Sequence, residues 1–197
     1  MKILSLLTLT AVIATPSFAQ DARQAESHEH GVGELDIAFE GTTIAMELHS
    51  PGADIVGFEY AASSEEDHDA IDAAVVVLSK PLDLFGLPDV AGCKVISASA
   101  ELKGDEGHDD EHHDDDKEED HADHSDHDED AEEGHAEFHA EYVFECSNPS
   151  AVTEIQFPYF EAFPNAKELE LQVVSEKGAS AFEIERDEPS VNLSELF

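Results

Sequence analysis

Residues 34–49 read Glu34-Leu35-Asp36-Ile37-Ala38-Phe39-Glu40-Gly41-Thr42-Thr43-Ile44-Ala45-Met46-Glu47-Leu48-His49. Leu35, Ile37 and Phe39 alternate with polar or small residues as far as Gly41-Thr42, and Ile44, Met46 and Leu48 resume the alternation beyond it. Successive side chains of an extended chain point to opposite faces, so this pattern predicts a β-hairpin with one buried face and one wet face. Ser50-Pro51-Gly52 then turns the chain.

The same period recurs downstream. Cys93 to Leu102 reads as a strand, and Phe138 to Cys146 places Phe138, Ala140, Tyr142, Phe144 and Cys146 on one face. A last hairpin has Leu169, Leu171 and Val173 on one arm and Phe182 and Ile184 on the other, turned at Glu176-Lys177-Gly178. Helical spacing appears between Ser63 and Pro81. Ser63 with Glu66 has capping-box spacing, and Ala70, Ala74, Val77 and Leu78 recur at helical intervals, predicting a helix from about Glu65 to Ser79. A short helical stretch is expected over Pro158 to Phe163. The expected fold class is α+β: an antiparallel β-sheet with helices on one side, an α/β-sandwich interrupted by a long disordered acidic His-rich loop.

The ends and the composition set further bounds. Lys2, the apolar run Ile3 to Ala14 and the small-x-small site Ser17-Phe18-Ala19 fit a secretory signal peptide over residues 1–19. That run is too short to span a bilayer, and no later stretch approaches the roughly 20 apolar residues a membrane helix needs. A soluble exported protein is therefore expected. The remainder is read as a single domain in two parts, residues 20–103 and 136–197, flanking a segment of different character at 104–135. The formal net charge is −39, which excludes nucleic acid and anionic membrane surfaces as partners because like charges repel. Cations are the natural partners. Cys93 and Cys146, in an oxidising compartment and in strand-like surroundings, are expected to form a disulfide. A two-cysteine metal site is the competing use, although no CxxC pair pre-arranges the thiolates.

Gly104 to His135 holds 18 acidic residues against Lys117 and no apolar residue larger than alanine. It cannot bury enough surface to offset its ordering entropy, so the tract is expected to be disordered in the free protein. If its flanking strands pair and Cys93 bonds Cys146, it is a loop tethered at both ends to the sheet. Seven of the 12 histidines fall within it: His108, His112, His113, His121, His124, His127 and His135. Spacings of three and four let two imidazoles reach one ion when the chain coils locally. Zinc accepts mixed imidazole and carboxylate shells, and the surrounding carboxylates concentrate cations and orient ligating rings.

Solvation alone explains acid, which is plentiful elsewhere in the chain, but it does not explain clustered histidines. Asp126, Asp128, Asp130 and Glu137 match EF-hand positions one, three, five and twelve, yet Ala131 stands where that loop needs glycine and no amphipathic helices flank it. Outside the tract, His28 and His30 at the start of the mature chain, and His139 with Glu137 on the polar face of a strand, read as ligands of a tighter, preformed site. For His49 and His68 a plain surface role stays equally open. Catalysis finds no support: HExxH, GxSxG and a phosphate-cradling glycine loop are all missing, and His135-Ala136-Glu137 lacks the PCxxC that a zinc deaminase needs.

Several short motifs in order carry a family resemblance: His28-Glu29-His30-Gly31 with Glu34-Leu35-Asp36-Ile37, then Ser50-Pro51-Gly52-Ala53-Asp54-Ile55-Val56-Gly57-Phe58-Glu59, Cys93, the histidine-rich tract, His139 to Cys146, and Phe163-Pro164. Together they resemble the ZrgA-type zinc-binding periplasmic proteins of Gram-negative bacteria. The resemblance implies a non-enzymatic periplasmic carrier or reservoir of Zn2+ that supports uptake, passing ions to the solute-binding component of a zinc ABC importer. Tyr60 departs from the family, where histidine often follows the Gly-Phe-Glu element. If that histidine is a ligand, the site here is altered. The rivals are an acidic interaction protein that binds a basic partner and a calcium-responsive module.

Overall fold

The structure, a computed structural model, describes residues 29–104 and 136–197. Residues 1–28, which include the expected signal peptide and His28, and the tract 105–135 lie outside the described residues. The predicted first hairpin is strand β1 (Val32–Glu40) and strand β2 (Thr43–Pro51), paired antiparallel with Leu35 opposite Leu48 and Ile37 opposite Met46. β3 (Cys93–Lys103) and β4 (Glu137–Cys146) form the second antiparallel pair. β6 (Glu168–Ser175) and β7 (Gly178–Glu185) form the last, joined by the two-residue turn Glu176-Lys177. The order in the sheet is β3-β4-β2-β1-β6-β7.

One pairing departs from the antiparallel expectation: β1 and β6 run parallel. The cause is chain direction. β4 and β1 are both antiparallel to β2, so β4 and β6 point the same way, and parallel strands need a crossover rather than a tight turn. The crossover carries β5 (Glu154–Gln156) and α4 (Tyr159–Ala162) across the covered face, where β5 pairs with β8 (Ser190–Asn192).

The covering layer also contains α1 (Gly52–Ile55), α2 (Glu65–Leu78) and α3 (Pro81–Leu84). Leu35, Ile37, Met46, Leu48, Phe138, Tyr142, Phe144, Leu171 and Val173 from the sheet meet Leu78, Leu84, Phe85, Phe157, Tyr159 and Phe160 from that layer in one buried core. Burying a large apolar side chain of this kind stabilises by about 1.5–3 kcal/mol. α2 matches the predicted helix, but its cap is one residue on. Ser64 accepts from the Asp67 N–H, and the Asp67 carboxylate accepts from the Ser63 and Ser64 N–H groups and the Tyr60 hydroxyl. Aspartate's shorter arm substitutes for glutamate in the box, which moved the cap from the expected Ser63.

Arg186 ties the crossover to β7. It donates to the carbonyls of Phe160 at 2.6 Å, Phe163 at 2.7 Å and Ala166, while its guanidinium lies 5.5 Å from the centroid of the Phe160 ring. These carbonyls lie at and just beyond the C-terminal end of α4, where helical partners run out.

Cys93 and Cys146 are directly opposed in β3 and β4, with Cα atoms 3.9 Å apart, and they form the expected disulfide. The bond closes a 53-residue separation, worth about 4 kcal/mol in the chain-entropy model before strain. Reduction, or the double substitution Cys93→Ala/Cys146→Ala, is expected to lower the urea midpoint of the metal-free protein by an amount equivalent to a few kcal/mol, on the order of 2–4. Equal midpoints with and without reductant would show that β3 holds its register unaided.

Candidate metal centre

The alternation that buries one face of the sheet exposes the other. Across the six strands, one open-face row reads Glu101, His139, His49, Glu34, Glu170 and Glu183. The two imidazoles are thus direct cross-strand neighbours near the middle of an acidic line. Their ring centroids lie 4.1 Å apart at an interplanar angle of 52°.

Glu137, two residues before His139 on the same face of β4, reaches both rings. Its Oε2 lies 2.5 Å from His139 Nε2 and 3.6 Å from His49 Nδ1. The three donors lie within 4.8 Å of one another, and this is the one such group of three or more among the described residues. Zinc with ligands near 2.0–2.1 Å holds tetrahedral donors about 3.4 Å apart, so small side-chain rotations would close the group around an ion. All three side chains are partly shielded, at 28%, 21% and 14% exposed for His49, His139 and Glu137.

Glu47 completes the arrangement. Its Oε1 lies 3.0 Å from His49 Nε2, the nitrogen that faces away from Glu137. A proton kept on Nε2 and donated to Glu47 leaves the Nδ1 lone pair for an ion, the carboxylate–imidazole–metal relation that fixes tautomer and ring orientation. Sequence reasoning placed Glu47 beside His49 without giving it this part, because the direction of the ring depends on β4.

The two rings have opposite electrostatics. Hydrogen bonding to Glu137, reinforced by Glu47, raises the His49 pKa to about 9 against the opposing effect of burial. Burial, with the neighbouring His49 charge, lowers that of His139. One proton is therefore shared by a pair that cannot comfortably hold two. At neutral pH His139 is a neutral imidazole, the form that can take an ion, whereas His49 is an imidazolium that would have to lose its proton to do so.

The other residues named from the sequence are dispersed. His30 Nε2 lies 3.0 Å from Glu59 Oε2, at the loop before β1. His68 sits exposed on α2 and joins no three-donor group among the described residues. His28 and the histidines at 108, 112, 113, 121, 124, 127 and 135 are outside them. His49, which sequence left evenly balanced, is brought into the cluster, and Glu137 and His139 are placed with it.

Two pH effects of opposite sign follow from His49. Its folded pKa lies above the unfolded value near 6.5, so its contribution to metal-free stability is full below that value and is lost as pH rises through about 9. Ion affinity goes the other way, rising with pH over the same window as the competing proton leaves. Thermal melts of metal-free and zinc-loaded protein between those limits should therefore diverge as pH increases. A constant difference would mean that His49 is not a ligand.

No curated protein matches the chain. A family model described as ZrgA family zinc uptake protein matches residues 27–193, spanning the sheet, the covering layer and every member of the three-donor group. The chain belongs to the ZrgA family of zinc uptake proteins.

Proposed function

We propose that this protein is an exported periplasmic zinc carrier or reservoir, capturing ions on its histidine-rich tract and retaining them at His49, Glu137 and His139. The observation that carries this reading is where the tract begins and ends. Lys103 pairs with Glu137, so the chain leaves the sheet at Gly104 and returns at Ala136 beside the three donors. The returning end is held closely. Ala136 donates to the Glu59 carbonyl at 3.2 Å and accepts from the Gly52 N–H at 2.7 Å. A side chain at residue 52 would lie 2.9 Å from the Ala136 carbonyl and 2.6 Å from that of Phe58, so glycine permits this approach.

A shell of two imidazoles and one carboxylate suits zinc. Calcium takes oxygen donors, so the nitrogen pair disfavours the calcium reading. Three protein donors leave a fourth tetrahedral position for water or for a histidine of the tract, and an open position suits an ion that must be passed on. The acidic row of the open face raises the local cation concentration. No helix among the described residues is long and apolar enough to cross a membrane. The proposed carrier passes its ion to the solute-binding component of a zinc ABC importer.

Calorimetric zinc titration of the metal-free full-length protein tests both parts. His49→Ala/His139→Ala is expected to weaken or remove the tightest class of sites while leaving the weaker ones. Deleting residues 105–134 is expected to lower the stoichiometry and spare the tight class. Stoichiometry unchanged by the deletion would sink the role of the tract, and tight binding unchanged by the double substitution would sink that of the sheet.

A further inference from the structure

On the edge strand β3, the register that lines up the metal centre also places Glu101 directly opposite His139 and Lys103 directly opposite Glu137, all four on the open face. Side chains opposed in this way start about 4.5–5.5 Å apart at Cβ. A lysine therefore stands beside one of the three donors of the proposed centre. Its Nζ lies 3.4 Å from Glu101 Oε1. Lys103 is 55% exposed and Glu101 66%, and an ion pair so open to water holds its partners loosely. The charge of Lys103 is nonetheless felt inside the centre: burial and the His49 charge lower the His139 pKa, and Lys103 lowers it further.

A positive charge in this place acts on two cations that compete for the same donors. Coulomb repulsion scales with the product of the charges, so Lys103 opposes a divalent ion about twice as strongly as it opposes a proton. It thus tilts the exchange at the donors toward release. Glu101 works the other way, since a carboxylate that draws the ammonium aside offsets part of its charge. We infer that Lys103 sets the zinc affinity and release rate of the centre formed by His49, Glu137 and His139, as a resident cation that repels the bound ion from across the β3–β4 pair. This inference rests on that centre being where zinc is retained. A lysine on an edge strand also discourages pairing with another chain. Lys94, opposite Glu145 toward the other end of β3, serves that purpose equally well and is the natural control.

The test is calorimetric zinc titration of the full-length protein at low and high salt, with release followed by transfer of zinc to an excess of a fluorescent chelator. Lys103→Met keeps the apolar stem and removes the charge. It is expected to tighten the tightest class of sites by roughly three- to tenfold at low salt and to slow release to match. Most of that gain should vanish at about 1 M salt, where the Debye length falls to about 3 Å. Lys103→Arg is expected to restore the original affinity, and Lys94→Met to leave it in place. Affinity unchanged or lowered by Lys103→Met would overturn the inference, as would a gain that salt does not diminish or that Lys94→Met reproduces. The two readings fail separately. Tight binding that survives His49→Ala/His139→Ala removes the centre and this inference with it, whereas a tight class lost in that double substitution yet indifferent to Lys103→Met removes only the role of Lys103.

Discussion

The pairing of β2 with β4 is the constraint on which the rest of the molecule depends. It joins a strand before the acidic tract to the strand that follows it, in a register where Ile44 meets Phe144, Met46 meets Tyr142 and His49 meets His139. A slip of one residue would turn the buried set toward water and the polar set toward the core. The core therefore fixes the register, and the register fixes the site. Hydrophobic burial on one face supplies the positional accuracy that the donors on the other face need, without requiring those donors to stabilise the fold.

The open face carries the opposite tendency. Glu47 stands opposite Glu141, Glu170 opposite Glu183, and Glu168 opposite Glu185. Like charges directly across a strand pair are unfavourable, and the crowding of Glu183, Glu170 and Glu185 adds to burial in raising the pKa of Glu168. The fold tolerates this because the covered face is extensive and because Cys93–Cys146 fastens the edge strand to β4. What is a local cost in stability is a standing attraction for cations.

Much of the scaffold was legible in the sequence, because a half-buried strand writes its period of two directly into the chain. Leu35-Ile37-Phe39 and Phe138-Ala140-Tyr142-Phe144 named both the strands and their inner faces, and the cysteines named the bond that joins β3 to β4. The site was only half legible. His139 and Glu137 share a strand and a face, so their association is local, but His49 lies 90 residues away in sequence and only the β2–β4 register brings it opposite. Nothing near His49 distinguishes a ligand from a surface histidine. The parallel β1–β6 pairing, the grip of Arg186 on three carbonyls and the burial of Asp54 beneath Gly31 were illegible for the same reason: each is decided by contacts between segments far apart in the chain. The capping error was smaller and chemical, since aspartate at Asp67 performs the reciprocal bond usually given to glutamate.

The proton on His49 links these features. In the metal-free protein the imidazolium sits between Glu47 and Glu137, and its charge neutralises part of the acidic face. In the proposed carrier, an arriving divalent ion would replace one positive charge with two at nearly the same point, so the exchange would add a single unit of charge where the carboxylates already favour it. On that reading the centre needs only small side-chain rotations between its empty and filled states, because Glu47 keeps its hydrogen bond to Nε2 while Nδ1 trades a proton for an ion. A site prepared in this way gives up little entropy on binding. Returning the proton to Nδ1 would weaken one of the three proposed ligands, which would make release as much a property of the β2–β4 register as capture.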